Sequence, residues 1–444
     1  MRISKHSNCQ GPTPKGTNIS RLGLGRWGLT CAILVYLITG ARPAMAQVDQ
    51  QRAEEWFKEV QAVCEREGRR LWGVPLCAPM VISDPRTQTI ATSAPAPEGP
   101  RPRLLVGMNA PIEWGGVTWG AYSWDTLVNT PPRARKAILL HELFHGVVQR
   151  KLGLAADELL NEHLDAMDGR YWLRLECRAL ARALQESAAQ RSTAVRDALA
   201  FRQARRMLYE GSAEKERALE INEGVASYTG VAAAADSEAD AIAGALDALA
   251  GAETGESFVR TFAYFTGPAY GVLLDASSPG WRQRIRGTDD FPVLLARAFA
   301  VQAAADAAAS AARYGGAEVR AAEEQRERGR QERLAELRRQ FVDGPLLVIR
   351  GGGGGSFNSM GAVVIPDLGT VFFGPYRHNT DSGTLVAEKG VLVESSGSVR
   401  RVAAPLRRDD VTLVGDGWTF TVKPGFVIRE GPRRGDYEVV RQQP

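Results

Sequence analysis

The reading turns on AILLHELFHGVVQ, residues 137–149, in which His141 and His145 stand four apart around Glu142. Positions i and i+4 share one face of a helix, so both imidazoles can reach a single ion while Glu142 addresses a water beside it. Neutral imidazole pairs suit Zn2+, and with a third protein ligand the fourth position stays open for water or substrate. Histidine is scarce, with five in 444 residues, so two of them in this pattern carry weight. The flanks read as helix: Thr130 can cap, Pro131 and Pro132 suit a first turn, Ile138, Leu139, Phe144 and Val148 recur on one face, and Gly153 ends it.

Downstream, three residues compete to complete the metal set: Glu162 and His163 in LLNEHLDA (159–166), and Glu223 in EINEGVASYTG (220–230). Glu223 is preferred, because Gly224 beside it would let the backbone come close to the active-site helix. Helical patterning continues from Thr130 for two hundred residues, with helices expected at about 158–187, 192–209, 214–233, 236–250, 256–275 and 290–312. The charged run 317–341 is expected to be a solvated connector helix.

HELFH, NEG with Ala226 and Tyr228 behind it, and the later AYFTGPAYGVLLD (263–275) together resemble the gluzincin metallopeptidases, in particular the aminopeptidase-N type with HExxH, NEGFA and YxxG segments. The resemblance covers roughly residues 130–275. It implies that Glu223 completes the zinc site and that Tyr264 stabilises the transition state, with Tyr228 and Tyr270 as alternative donors. The chain departs from that type in separating His145 from Glu223 by 78 positions, so a helical hairpin must be inserted, as long separations in the CAAX-prenyl endopeptidase type resemble. No segment resembles the GAMEN run that anchors a free amine in aminopeptidases, which favours endopeptidase action.

Upstream of the motif, the amphipathic stretch 47–67 predicts a helix stopped by Gly68, and short β-branched or alternating runs at 80–84, 87–93, 103–107 and 117–124 predict strands. The last, VTWGAYSW, could lie along the cleft as an edge strand and pair with an extended peptide, or serve as a plain core strand. Residues 1–46 carry six basic residues and no acid, an apolar run from Leu29 to Ile38, and Ala44-Met45-Ala46 before Gln47. That is the pattern of a cleavable secretory signal, and the run is short of the roughly twenty residues a membrane span needs. Cys31 lies inside the run, which argues against a lipoprotein. Removing six cations from a chain of net charge +4 leaves about −2, so neither nucleic acid nor an anionic membrane is an expected partner. Of the cysteines remaining, Cys64 and Cys77 can staple a short loop in an oxidising compartment, which leaves Cys177 as a buried helix residue.

After Gly344 the composition changes to short apolar strands separated by Gly, Asp and Pro, while the Gly351–Gly355 run lacks the features of a phosphate loop and reads as a flexible loop. The expected class is α+β: a signal peptide (1–46), an N-terminal helix and small sheet (47–130), a mainly helical zincin-like catalytic core (131–312), a connector helix (313–344) and a separate all-β domain (345–444). The expected function is an exported, secreted or periplasmic zinc hydrolase acting on peptide or protein substrates, without stable membrane insertion once the signal is cleaved. Hydrolysis of a non-peptide amide or ester shares the same residues. The alternative is an exported binding protein with a structural metal or none, against which an intact Glu142 argues, since binding needs no general base.

Overall fold

In the computed structural model the described residues are 47–84, 86–102, 109–156, 160–255, 257–357, 362–409 and 411–442; the expected signal segment and the strand expected at 103–107 lie outside them. The class is α+β, with a mainly helical part that carries a small sheet and a separate C-terminal all-β region.

The chain opens with α1 (Gln50–Trp72), whose buried face includes Ala53, Trp56, Phe57, Val60 and Cys64. It runs past Gly68 and stops at Gly73, whose φ of 75° is left-handed. Gly68 is there for contact: a Cβ on it would strike the backbone of Val74, Pro75 and Leu76 as the chain folds back. The Cys64–Cys77 disulfide closes that return, and Cys177 is free and buried.

Four strands follow, β1 (Met80–Asp84), β2 (Thr89–Thr92), β3 (Ala110–Trp114) and β4 (Val117–Ser123), in the order β2-β1-β4-β3. β4 lies between β1, to which it runs parallel, and β3, to which it runs antiparallel. The 117–124 segment is therefore an interior strand and not an edge. The two edges are β2 and β3, and the Pro111 that obscures β3 in the sequence is tolerated because an edge strand has a row of N–H groups without ladder partners. After the short α2 (Trp124–Val128), α3 (Pro132–Leu143) carries the first histidine. Thr130 does not cap it; its hydroxyl donates to the Thr126 carbonyl and the helix starts directly at the prolines.

A π-helical turn (Phe144–Gln149) extends α3, and a 3-10 turn (Glu162–Asp165) precedes α4 (Met167–Gln185), so the helix expected from 158 begins later. α4 and α5 (Ala188–Leu208) form the hairpin demanded by the long ligand separation. α6 (Ser212–Leu219) runs through a second π-helical turn (Glu220–Gly224) into α7 (Val225–Ala234), followed by α8 (Glu238–Thr254), α9 (Phe262–Ser277) and the short α10 (Trp281–Arg284). The helix expected over 290–312 is broken into α11 (Phe291–Phe299) and α12 (Ala307–Ala311), with Ala300 in the left-handed region at the break. One large core of buried apolar side chains joins α1, α3, α4, α5, α7, α8, α9 and one face of the sheet.

α13 (Gly316–Arg338) is not solvated throughout. Gly316, Val319 and Glu323 are buried, with Glu323 held by Arg170 and Arg174 of α4 at 2.7 and 2.6 Å. Its far end packs Leu334 and Leu337, with Phe341 beyond, against Ile365, Val371 and Leu392 of the β region. That region holds β5 (Leu346–Arg350), β6 (Gly353–Phe357), β7 (Val363–Ile365), β8 (Gly369–Phe372), β9 (Tyr376–Thr380), β10 (Gly383–Ala387), β11 (Val391–Glu394), β12 (Val399–Ala403), β13 (Arg407–Arg408), β14 (Thr412–Gly415), β15 (Trp418–Val422), β16 (Phe426–Glu430) and β17 (Tyr437–Arg441). They form sheets ordered β13-β14-β15-β10-β9-β6 and β16-β17-β5-β12-β11-β8-β7, which share a core including Leu347, Leu385, Val402 and Phe420. The glycine run is not a loop throughout: Gly353–Gly355 begin β6, which pairs with β9. Among the described residues no helix is long and apolar enough to cross a membrane.

Candidate metal centre

Two packing contacts and two π-turns bring the motif residues together. Tyr122 of β4 donates its buried hydroxyl to the Leu139 carbonyl at 2.7 Å, which anchors α3 on the sheet. On the other side α7 crosses α3 at Gly230, where a Cβ would run into the Ala137 backbone and approach His141. The glycine that admits α3 is thus Gly230, whereas Gly224 faces α9 and meets Gly267. The π-turns contain His145 and Glu223 respectively. Such turns are rare and widen the helix locally, and they occur preferentially at functional sites.

His145 Nε2 lies 3.0 Å from His141 Nε2 and 3.2 Å from Glu223 Oε2, and His141 Nε2 lies 3.3 Å from the same oxygen. Ligands at about 2.0–2.2 Å in tetrahedral array are separated from one another by about 3.3–3.6 Å, so this donor triangle is close to the size zinc requires, slightly contracted. The three donor types, two imidazole nitrogens and a carboxylate oxygen, also match zinc chemistry. Glu142 is buried at the same place, its Oε1 4.0 Å from His141 Nε2.

The alternatives for the third ligand point elsewhere. His163 bonds Glu216 at 2.9 Å and Glu162 pairs with Lys215 at 2.9 Å. The tyrosines also separate. Tyr264 stacks on His141 with ring centroids 5.5 Å apart and is 40% exposed, so it borders the centre on the open side. Tyr228 donates to Asp275 and Tyr270 donates to Glu176, and both are buried within the helical core.

Residues that the motif reading missed orient the ligands. Gln149 Nε2 donates to the Asn222 carbonyl at 2.7 Å and to the Leu154 carbonyl at 3.3 Å, which fixes the amide and leaves its Oε1 facing His145 Nδ1 at 2.6 Å. Oε1 can only accept, so Nδ1 carries the hydrogen and the Nε2 lone pair of neutral His145 is free for a metal. Asn222 Nδ2 donates to Glu223 Oε1 at 3.1 Å, and the Ser227 hydroxyl sits 3.3 Å from His141 Nδ1. The sequence marks Gln149 by position, as the i+4 neighbour of His145 on the face that carries both histidines, while its burial appears in the fold.

The electrostatics call for a cation. Burial disfavours protonated His145, but the Glu223 hydrogen bond and charge outweigh it and push its pKa up to about 9. Burial also works against the Glu223 charge, yet the hydrogen bonds from His141 and His145 hold this carboxyl far below the usual range. Glu142 moves the other way: burial raises its pKa, the two imidazoles offset part of the rise, and the Glu223 charge adds to it. The two carboxyl groups are thereby shifted in opposite directions, Glu223 held ionised and Glu142 raised above its ordinary value.

Compared with models of protein families, with curated proteins and with solved structures, the chain matches none.

Proposed function

We propose that the protein is an exported zinc-dependent hydrolase of the gluzincin kind, a peptidase with endopeptidase action favoured. The observation that carries this reading is the convergence of His141, His145 and Glu223 on one point with Glu142 buried beside them. When bound there, zinc supplies Lewis acidity that polarises a scissile carbonyl and lowers the pKa of a water toward neutrality. Glu142 takes the proton of the attacking water and passes it to the leaving amine. Tyr264, standing over His141, donates to the carbonyl oxygen as it gains charge. Gln149, Asn222 and Ser227 hold the ligand side chains in place. Export is supported by the Ala44-Met45-Ala46 pattern and by the Cys64–Cys77 disulfide, a bond that persists in oxidising compartments.

The test is metal analysis of the purified protein together with digestion of a fluorogenic peptide library, run beside Glu142→Gln. Stoichiometric zinc and cleavage abolished by the substitution are expected. Full activity in Glu142→Gln overturns the mechanism, and a zinc-loaded protein that cleaves nothing in a broad library leaves a binding protein as the better reading.

A further inference from the structure

The α4–α5 hairpin separates the ligand segments in sequence, yet it reaches the metal centre through a buried ionic clamp. Arg202 of α5, almost wholly buried, grips both carboxylate oxygens of Glu220, with Nη2 to Oε1 at 2.7 Å. Glu220 belongs to the same π-helical turn as Glu223. Its Oε1 also accepts from the Thr266 hydroxyl of α9 at 2.6 Å. Thr266 lies between Tyr264, which faces His141, and Gly267, whose backbone touches Gly224. Arg202 Nε is bonded in turn to Glu176 of α4 at 2.8 Å, and Glu176 accepts from Tyr270 of α9 at 2.8 Å.

We infer that Arg202 and Thr266, acting through Glu220, are positioning residues that fix the turn carrying Glu223 against the two histidines, making the inserted hairpin part of the metal centre. The inference rests on the zinc reading above. Its physical basis is that a bidentate guanidinium–carboxylate pair fixes orientation as well as distance, and burial protects it from competing water. A π-turn replaces the i→i+4 ladder of the flanking α-helices with wider i→i+5 bonds, so side-chain ties are an added constraint on its register. With Glu220 tied to α5 and to α9, the turn cannot rotate without breaking buried charge-assisted bonds, so Glu223 is placed before metal arrives.

Arg205 supplies the control. It is equally buried and belongs to the same cluster, but it bonds Glu216 and Glu176 and makes no bond to Glu220. The experiment measures the zinc dissociation constant of the purified full chain by chelator competition, beside its thermal midpoint, for the wild type, Arg202→Met, Arg205→Met, Thr266→Val and Thr266→Ser. Both arginine variants should lose thermal stability, but only Arg202→Met should weaken zinc binding, by about 10–100-fold, as expected for an outer-sphere partner. Thr266→Val should weaken it in the same direction by a smaller factor, and Thr266→Ser, which keeps the hydroxyl, should restore it. If Arg202→Met does not fold, the Thr266 pair decides. Wild-type zinc affinity in Arg202→Met or Thr266→Val, or an equal loss in Arg205→Met, overturns the positioning role while leaving the metal site standing. A wild type that fails to take up zinc in the same assay overturns the site itself, and the clamp with it.

Discussion

At the residue scale the proposed chemistry divides among side chains that different substitutions can separate. Glu142→Gln keeps size and removes the basic oxygen, so hydrolysis should vanish with zinc content unchanged; His141→Ala removes a ligand and should lose the metal as well. Tyr264→Phe should lower turnover about a hundred- to a thousandfold with little change in zinc affinity, the cost of one donor to a developing oxyanion. The pH dependence of zinc binding follows from His145, whose pKa in the metal-free centre is pushed up to about 9. In the folded protein that proton is held more tightly than in the unfolded chain, so its contribution to metal-free stability is full below the ordinary histidine value and fades as pH rises through about 9. Zinc must displace the same proton. Zinc affinity should therefore rise about tenfold per pH unit between roughly 6.5 and 8.5, measured by chelator competition, and a flat profile would contradict the assignment. HELFH was legible in the sequence because residue type and i, i+4 spacing are local properties, whereas Glu223 was the preferred one of three distant candidates. The orienting roles of Gln149, Ser227 and Glu220 were not legible, because a buried amide, hydroxyl or carboxylate acquires its role only from the partner it meets.

At the element scale, glycine contacts set how closely the motif helices cross. A Cβ on Gly267 would fall closer than 3.0 Å to three backbone atoms of Gly224, which cannot swing aside. A Cβ on Gly224 would meet only ordinary or slightly tight neighbours, the nearest being the Phe291 ring at 3.3 Å. Gly267→Ala should therefore destabilise by about 3 kcal/mol, toward the upper end of overpacking costs, whereas Gly224→Ala should cost much less. Denaturant midpoints decide the point, and equal effects would contradict this crossing geometry. Gly224 stands in the visible NEG motif and so invites assignment to the close approach to α3, while that contact belongs to Gly230. The helices themselves were visible through apolar periodicity. Their interruptions, the π-turns and the break at Ala300, were not, because the same periodicity runs through them. β3 escaped notice because Pro111 argues against a strand except at an edge, and edge status depends on the other strands.

At the scale of the whole molecule, the large helical core and the core of the β region are bridged by α13, whose first half is tied to α4 through Glu323 and whose end shares a smaller apolar cluster with the β region. A chain built on more than one core need not unfold in a single step. Calorimetry should resolve two transitions, and chelation of zinc should lower the one belonging to the helical part alone, since a ligand stabilises only the structure that binds it. A single transition shifted as a whole would contradict that independence. The Cys64–Cys77 bond, with a sequence separation of 13, should contribute roughly 3 kcal/mol to the helical part, read as the loss on replacing both cysteines by serine.

The local pieces can be read from the amino acids: the helical frame of HELFH, the spacing of its histidines, the short β-strands after Gly344 and the α+β class. Each follows from periodicity or from chemistry within a few residues. Only the packed chain shows that Glu223, and neither His163 nor Glu162, meets the histidines, and that Tyr264 borders the centre while Tyr228 and Tyr270 do not. Those outcomes depend on how α7 and α9 cross α3. The crossings are set by small side chains and buried hydrogen bonds between segments far apart in the chain, which no local pattern records.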